Sequence, residues 1–240
     1  MLAPGLPGWS AAARVLARDE PFVPNDVKRP APSLLPPAER RRCAPSVAWA
    51  LAVAQEAVAA AGIAAENFAV VFVSSDGDGD IVHRLCTALA APAPAVSPTD
   101  FHNSVHNAAV GYWSIAARST APSTALCAYD ASFAAGLLEA AAQIATETRP
   151  VLLVAVDLPY PPPLAKHRPV RHGFACALAL EPGAALQLSV NREKADALPL
   201  AGFEGNAAAA ALPLLALLAG SGETVRLPLA EGALRISRRA

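Results

Sequence analysis

The sequence predicts a layered α/β fold with a mostly parallel sheet sandwiched by helices. Apolar runs that suit strands buried on both faces occupy residues 68–74, 151–157 and 174–181. Longer Ala- and Leu-rich segments with helical spacing lie between these runs. Alternation of buried strands and helices is typical of parallel sheets covered on both faces.

The N-terminal part is expected to lack regular structure. Residues 1–36 are rich in Pro, which fixes φ and lacks a backbone N–H, so they predict an irregular segment ahead of a single domain over residues 37–240. A polar helix start follows, and the Ala- and Val-rich helix over residues 46–61 should end at Gly62, which suits a left-handed C-cap.

The remaining elements follow the same alternation. Helices are predicted over residues 81–90, 107–118, 131–146 and 206–219, and loops over 75–80, 92–104 and 159–163. Strands in addition to the three buried ones are predicted over residues 122–129, 186–190, 225–229 and 234–237.

The composition favours a protein that has a large core and a protein partner. Of the 240 residues 54% are hydrophobic and 16% charged, with a net charge of −1 and a mean hydropathy of +0.34. A near-neutral chain lacks the excess of Lys and Arg that is typical of proteins that bind nucleic acid. With so few charged residues, part of the surface must be apolar. We therefore expect this apolar surface to form an interface with another subunit.

Neither a membrane span nor a disulfide framework is expected. The apolar run at 207–220 is shorter than the ~20 residues that a span needs, and Gln55 and Glu56 interrupt the run at 47–63. The first ten residues do not resemble a signal peptide. The cysteines lie far apart without a CxxC pair, which predicts reduced core thiols and a cytoplasmic protein.

Two motifs resemble metal sites, and both are incomplete. Asp76, Asp78 and Asp80 are spaced as in a calcium loop, but the Gly and Glu that such a loop needs at its sixth and twelfth positions are missing, so a solvated loop is predicted. His102 and His106 are four residues apart and would share a helix face, but the adjacent Glu of a zinc hydrolase is absent. We therefore expect neither a metal nor a cofactor.

The turn after the strand at 122–129 is the place where a nucleophile would benefit from a helix N-terminus. The sequence has Asp130 there, which is predicted to be an N-cap, with a catalytic carboxylate as the alternative. Cys127 falls inside the predicted strand, where a buried inert thiol is favoured over a nucleophile.

Residues 107–130 (NAAVGYWSIAARSTAPSTALCAYD) resemble the stretch of the β-ketoacyl synthases that runs from an Asn-x-x-x-Gly helix to the Ala-Cys nucleophile. The match needs no gap, and it aligns Tyr129 and Asp130 with that Ala-Cys pair. Residues 37–62, 70–79 and 172–181 resemble further family segments in the same order, so the resemblance covers residues 36–182. It implies a thiolase-like fold of half length, the N-terminal half of a ketosynthase.

The departures from the family pattern carry the functional expectation. The family's nucleophilic Cys is Asp130 here, and the His motifs of the family's second half are absent after residue 183. The resemblance therefore implies a chain length factor of the short, aryl polyene-type subgroup. Such a subunit has no independent activity, pairs with an active ketosynthase as a heterodimer, and meets acyl carrier protein through that partner.

The resemblance also implies where the partner would bind. In this fold the strand before the nucleophile lies at the dimer interface. The residues expected at that interface or at the acyl tunnel are Pro122, Ala125, Cys127, Tyr129, Phe133 and, as a candidate gate on the loop over residues 99–106, Phe101.

Two other functions stay open. One is an acyltransferase or thioesterase-like enzyme on a reduced thiolase scaffold, using Cys127 or Asp130 with His102 or His106. The other is a stand-alone module that binds a carrier protein or lipid.

Overall fold

A four-stranded mixed sheet forms the centre of the computed structural model, which describes residues 1–239. In the order β2-β1-β3-β4, its strands are β1 (Ala69–Val73), β2 (Ser123–Leu126), β3 (Val151–Asp157) and β4 (Phe174–Leu180). β1 pairs in parallel with β2 and β3, whereas β4 runs antiparallel to β3. This arrangement confirms the predicted α/β fold with a mostly parallel sheet.

Helices precede, connect and follow these strands. They are α1 (Trp9–Leu16), α2 (Pro37–Arg42), α3 (Pro45–Ala61), α4 (Gly79–Leu89), α5 (Pro98–Asn103), α6 (Ala108–Ala117), α7 (Ser132–Glu147) and α8 (Leu212–Leu218). As predicted, α3 ends at Gly62, which has a φ of 67°. The helix predicted over residues 206–219 is split into a 3-10 turn at Ala208–Ala211 and α8, because Pro213 lacks an N–H and suits only a first helical turn.

Two segments predicted to be irregular contain helices. α1 forms within residues 1–36 because it buries Ala12, Val15 and Leu16, so core packing outweighs the surrounding prolines. α5 forms within the predicted loop at 92–104, and the Ser97 hydroxyl caps it by accepting from Asp100 N. The predicted domain runs to residue 240, which lies outside the described residues.

The sheet has a separate apolar core on each face. Alternate residues of β1 divide between them: Val70 and Phe72 pack with α3 and α6, and Val71 and Val73 pack with α7 and α8. All of β1 and β3 is buried, which explains why their sequences are apolar throughout except for Asp157 at the end of β3.

A second, antiparallel sheet closes the chain in the order β5-β7-β6, with β5 at Leu186–Asn191, β6 at Thr224–Pro228 and β7 at Ala233–Arg238. Leu234 and Ile236 of β7 join the core on the α7 side. Within residues 1–239, none of the helices combines the length and apolarity needed to cross a bilayer.

Close packing of α7 on the sheet gives a testable prediction. A Cβ added at Gly136 would lie 2.3 Å from Val73 Cγ1, so Gly136→Ala should lower the free energy of unfolding by about 1–3 kcal/mol. At Gly111 in α6 an added Cβ meets nothing within 4 Å, and Gly111→Ala should raise stability by about 0.5–1 kcal/mol. Urea unfolding of both variants checks this, and equal effects would contradict the packing described.

Candidate functional site

Polar side chains gather where the parallel strands end. Ser75 and Asp76 follow β1, Cys127 follows β2, and Asp157 is the last residue of β3. In open α/β sheets, ligands bind at the carboxyl ends of the strands, at the point where strand order changes direction. This edge is therefore the candidate functional site.

Asp157 is the buried centre of this edge, with only 3% of its surface exposed. One carboxylate oxygen accepts from Ser75 N and Ser75 Oγ at 2.8 Å each, and the other accepts from Ala208 N at 2.9 Å. Asn206 Nδ2 donates to Asp157 O and His172 O at 3.0 Å. Burial raises the pKa of Asp157 to about 6, because it disfavours the charged form more than these donors favour it.

Tyr160 continues the network outward. Its hydroxyl donates to the Asp76 carboxylate and lies 3.2 Å from Ser75 Oγ. Burial, together with the neighbouring carboxylate of Asp76, raises the pKa of Tyr160. The ring lies over the start of α4, where a Cβ on Gly79 would be 2.4 Å from Tyr160 Cδ1.

Asp76 and Asp80 of the Asp-rich loop are exposed, as expected for a solvated loop, and two carboxylates of the loop bind other protein groups. Asp78 caps α4 by accepting from Ile81 N at 3.1 Å, and it also accepts from Ser46 Oγ at 2.7 Å. Because Asp76 faces Tyr160 and Asp78 faces α4, these two carboxylates have different protein partners.

The turn between β2 and α7 is a 3-10 turn at Tyr129–Ala131. Asp130 does not cap α7, so that prediction is wrong: its carboxylate accepts from Arg168 Nη2 at 2.8 Å. Ser132 secures the turn instead, because its hydroxyl accepts from Ala128 N at 3.0 Å and donates to Tyr129 O at 2.6 Å. The Arg168 guanidinium also lies over the Tyr129 ring, 3.8 Å from its centroid.

Cys127 is exposed, and the prediction of a buried thiol is wrong for it. β2 ends at Leu126, one residue earlier, and the Cys127 thiol donates to Ser75 O. Cys86 in α4 is exposed as well, whereas Cys43 and Cys176 are buried as expected.

His102 and His106 do not share a helix face. α5 ends at Asn103, so His102 lies on the helix and His106 in the following turn. The His102 ring packs against the edge of Tyr112, with 5.9 Å between centroids. His106 lines a separate cavity of about 30 Å³ together with Asn103 and Ser74.

β2 is an open edge of the sheet. Pro122 O and Leu126 O accept from Val70 N and Ser74 N of the neighbouring strand. Because bonding directions alternate along a strand, Ser123 and Ala125 direct their backbone groups away from β1, to the open side.

An apolar groove lies on α5 and α6, and α6 contacts β2. Phe101, Val105 and Ile115 line the groove with 66%, 50% and 50% of their surfaces exposed. Tyr129 is also exposed, whereas Phe133 is fully buried in the core on the α7 side and does not reach the surface.

Sequence reasoning missed Ser75, Asp157, Tyr160 and Arg168 as parts of the site. Asp157 carried a usable signal, since a carboxylate at the end of a fully apolar strand falls on the edge where sites form. Arg168 carried no local signal, because its partner Asp130 is 38 residues away.

Comparison with known proteins identifies the fold and the family. Residues 9–231 match the family described as Beta-ketoacyl synthase, N-terminal domain. A chain from the structure of a ketosynthase (ApeO) in complex with its chain length factor (ApeC) from Xenorhabdus doucetiae has a TM-score of 0.77 at 23% identity, over 98% of this chain and 95% of that one.

Two longer structures share the fold. A β-ketoacyl synthase from Burkholderia phymatum has a TM-score of 0.55 at 17% identity, over 82% of this chain and 58% of its own. A type II polyketide synthase complex of acyl carrier protein with its ketosynthase (AntDE:AntF) has a TM-score of 0.56 at 13% identity, over 99% of this chain and 60% of its own. No curated protein matches the sequence. The chain has the thiolase-like fold at half length and belongs to the β-ketoacyl synthase family.

Proposed function

We propose that this chain is a chain length factor, a subunit that does not condense but pairs with an active full-length ketosynthase and shapes its acyl tunnel. The pathway would be type II fatty acid or polyketide synthesis of the aryl polyene kind, in the cytoplasm. Acyl carrier protein would be met through the partner. The observation that carries the proposal is Asp130, paired with Arg168, at the position that aligns with the family's nucleophilic Cys.

The chemistry of a carboxylate argues against condensation at this position. A ketosynthase stores its acyl group by attack of a thiolate on a thioester, with release of the carrier thiol. Attack by Asp130 would give a mixed anhydride, which water cleaves readily. The Arg168 guanidinium, 2.8 Å from the Asp130 carboxylate, also occupies one of its oxygens and weakens it as a nucleophile.

The lengths of the matched chains support the same proposal. This chain spans 58% and 60% of the two longer ketosynthase structures but nearly all of the matched chain in the ApeO–ApeC complex. A matched chain of almost equal size is too short to hold both halves of a ketosynthase. We infer that the resemblance is to the chain length factor of that complex.

The surface offers a place for the partner. The outward backbone groups of β2 can accept a further strand, and the exposed apolar groove on α5 and α6 would lose contact with water in a complex. Phe101 is the most exposed of the groove's large apolar side chains.

An independent enzyme using Cys127 is not favoured. A thiol nucleophile needs a base or a nearby cation to form its thiolate, and the Cys127 thiol donates to a backbone carbonyl. Among residues 1–239, Cys127 has no hydrogen bond to an imidazole.

The proposal predicts activity only in a pair. The purified chain, given malonyl- and acyl-loaded carrier protein, should form no condensation product and no stable acyl adduct on Cys127. With a Cys-containing full-length ketosynthase of its source organism, it should co-purify and condensation should appear. Asp130→Ala in that complex tests whether the carboxylate also serves malonyl decarboxylation, since an unchanged initiation rate would exclude such a role. Condensation by the isolated polypeptide would disprove the proposal.

A further inference from the structure

The turn between β2 and α7 has an uncommon backbone conformation. Tyr129 has a φ of 53°, in the left-handed region that a bulky residue rarely adopts. The other non-glycine residues with positive φ in residues 1–239 are Arg18, Arg118 and Thr148. Those three follow the C-terminal ends of helices, where this conformation is common, whereas Tyr129 begins a 3-10 turn. Strain of this kind persists only when its surroundings enforce it, and it is found mostly at functional sites.

A side chain from a distant loop contacts this turn at two consecutive residues. Arg168 binds the Asp130 carboxylate at 2.8 Å and covers the Tyr129 ring at 3.8 Å, so one guanidinium holds two consecutive side chains. The Arg168 backbone is held in place, because its N–H donates to Leu164 O at 3.0 Å and the nearby Val170 is buried.

The exposure of these groups is unequal. The Arg168 side chain is 14% exposed, whereas the Asp130 side chain is 65% and Tyr129 is 58% exposed. An ion pair with so exposed a partner contributes little to folding stability. A rigid, outward-facing Tyr instead suits binding, because Tyr loses little conformational entropy when it is already held in place.

We propose that Arg168 is a positioning residue that presets Tyr129 for contact with the ketosynthase partner. This inference rests on the proposed function, and it adds how the conformation of the binding surface is fixed before the partner binds. It assigns Tyr129 as the contacting side chain and Asp130 as the second point by which Arg168 holds the turn.

Arg168→Gln tests the positioning role of Arg168 in two independent measurements. Hydrogen exchange on the isolated chain should speed up by about tenfold or more at Ala128, whose amide donates to Ser132 Oγ within the turn, while β3 amides stay protected. Affinity for the ketosynthase should weaken by about tenfold or more. Arg226→Gln is the matched control, because Arg226, on the second sheet, also binds carboxylates: that of Glu193, which is exposed, and that of Asp196, which is partly exposed. It should change neither measurement.

Two further variants separate the roles of charge, ring and backbone. Arg168→Lys keeps a cation for Asp130 but lacks the flat guanidinium over Tyr129, so it should restore only part of the affinity. Arg168→Lys also replaces Arg168→Gln as the test if the Gln variant fails to fold. In that case, a Lys variant that binds the ketosynthase as tightly as the unaltered chain would overturn the inference. Tyr129→Gly permits the positive φ without strain and removes the ring, so the turn should stay protected while affinity falls by about tenfold.

The outcomes distinguish this inference from the proposed function. An unaltered chain that binds no ketosynthase overturns the proposed function and this inference with it. An unaltered chain that binds, with Arg168→Gln or Tyr129→Gly binding equally well, overturns only the inference. Unchanged exchange at the turn in Arg168→Gln also overturns it.

Discussion

Asp157→Ala is expected to lower the free energy of unfolding by about 3–5 kcal/mol and the Tm by on the order of 10 °C. The Asp157 carboxylate is the acceptor for Ser75 N, Ser75 Oγ and Ala208 N. Without it these donors are left buried without a partner, and each such loss costs about 1–3 kcal/mol, less whatever relaxation recovers.

Urea unfolding at pH 7 measures this loss, and two variants calibrate it. Asp100→Ala removes a partly exposed carboxylate that binds Arg84, and it should cost at most about 1 kcal/mol. Asp157→Asn retains one acceptor oxygen and should fall between the two alanine variants. If Asp157→Ala cost no more than Asp100→Ala, the buried network would not join β1, β3 and the segment before α8 as described.

The same carboxylate predicts a pH dependence. Its pKa is raised from 3.8 to about 6, first by burial. Between about pH 4 and 6 the folded chain therefore holds a proton that the unfolded chain has lost, so the stability contributed by this group falls as the pH rises. The fall should be on the order of 2–3 kcal/mol in all. The amide side chain of the Asp157→Asn variant does not titrate. The difference in free energy of unfolding between the unaltered chain and this variant should therefore shrink as the pH rises from about 4 to 6.

Ala125→Pro is expected to abolish the complex with the ketosynthase, weakening affinity by about a hundredfold or more. The backbone N–H of Ala125 faces the open side of β2, so proline leaves the pairing with β1 intact. It removes a donor that an incoming strand would use, and its ring stands in the way of that strand. Affinity is measured by titration calorimetry with the full-length ketosynthase.

A proline one residue away provides the control. Thr124 directs its backbone groups toward β1, so Thr124→Pro should lower the Tm of the isolated chain, whereas Ala125→Pro should leave it nearly unchanged. Ser123→Pro repeats the test at the other outward position. A ketosynthase that binds Ala125→Pro with full affinity would show that β2 does not pair across the interface.

The elements that sequence predicts well are those in which local pattern and tertiary environment agree. β3 has the predicted bounds because all of its residues are buried and all but the last, Asp157, are apolar. Gly62 ends α3 because it readily adopts the left-handed conformation. α1 was missed because prolines surround a short apolar face whose burial is visible only once α8 packs against it.

The site was less predictable because its contacts join distant segments. The side chain of Asp130 suits an N-cap, but a guanidinium 38 residues later outcompetes the helix N–H groups for it. Ser75 and Asp157 are 82 residues apart and meet only because β1 and β3 are neighbours in the sheet. The Ser75–Asp157 hydrogen bond depends on the order of the strands in the sheet, and a Ser or an Asp in the sequence does not indicate that order.

The opposite edge of the four-stranded sheet, β4, is already paired near its first residue. Leu2 exchanges backbone hydrogen bonds of 2.8 and 2.9 Å with Ala175 of β4, so the first residues of the chain lie where a foreign strand would otherwise add. Strand addition is thereby hindered at the start of β4. Together with the partner strand proposed for β2, this protection would favour a closed pair over an open-ended fibre.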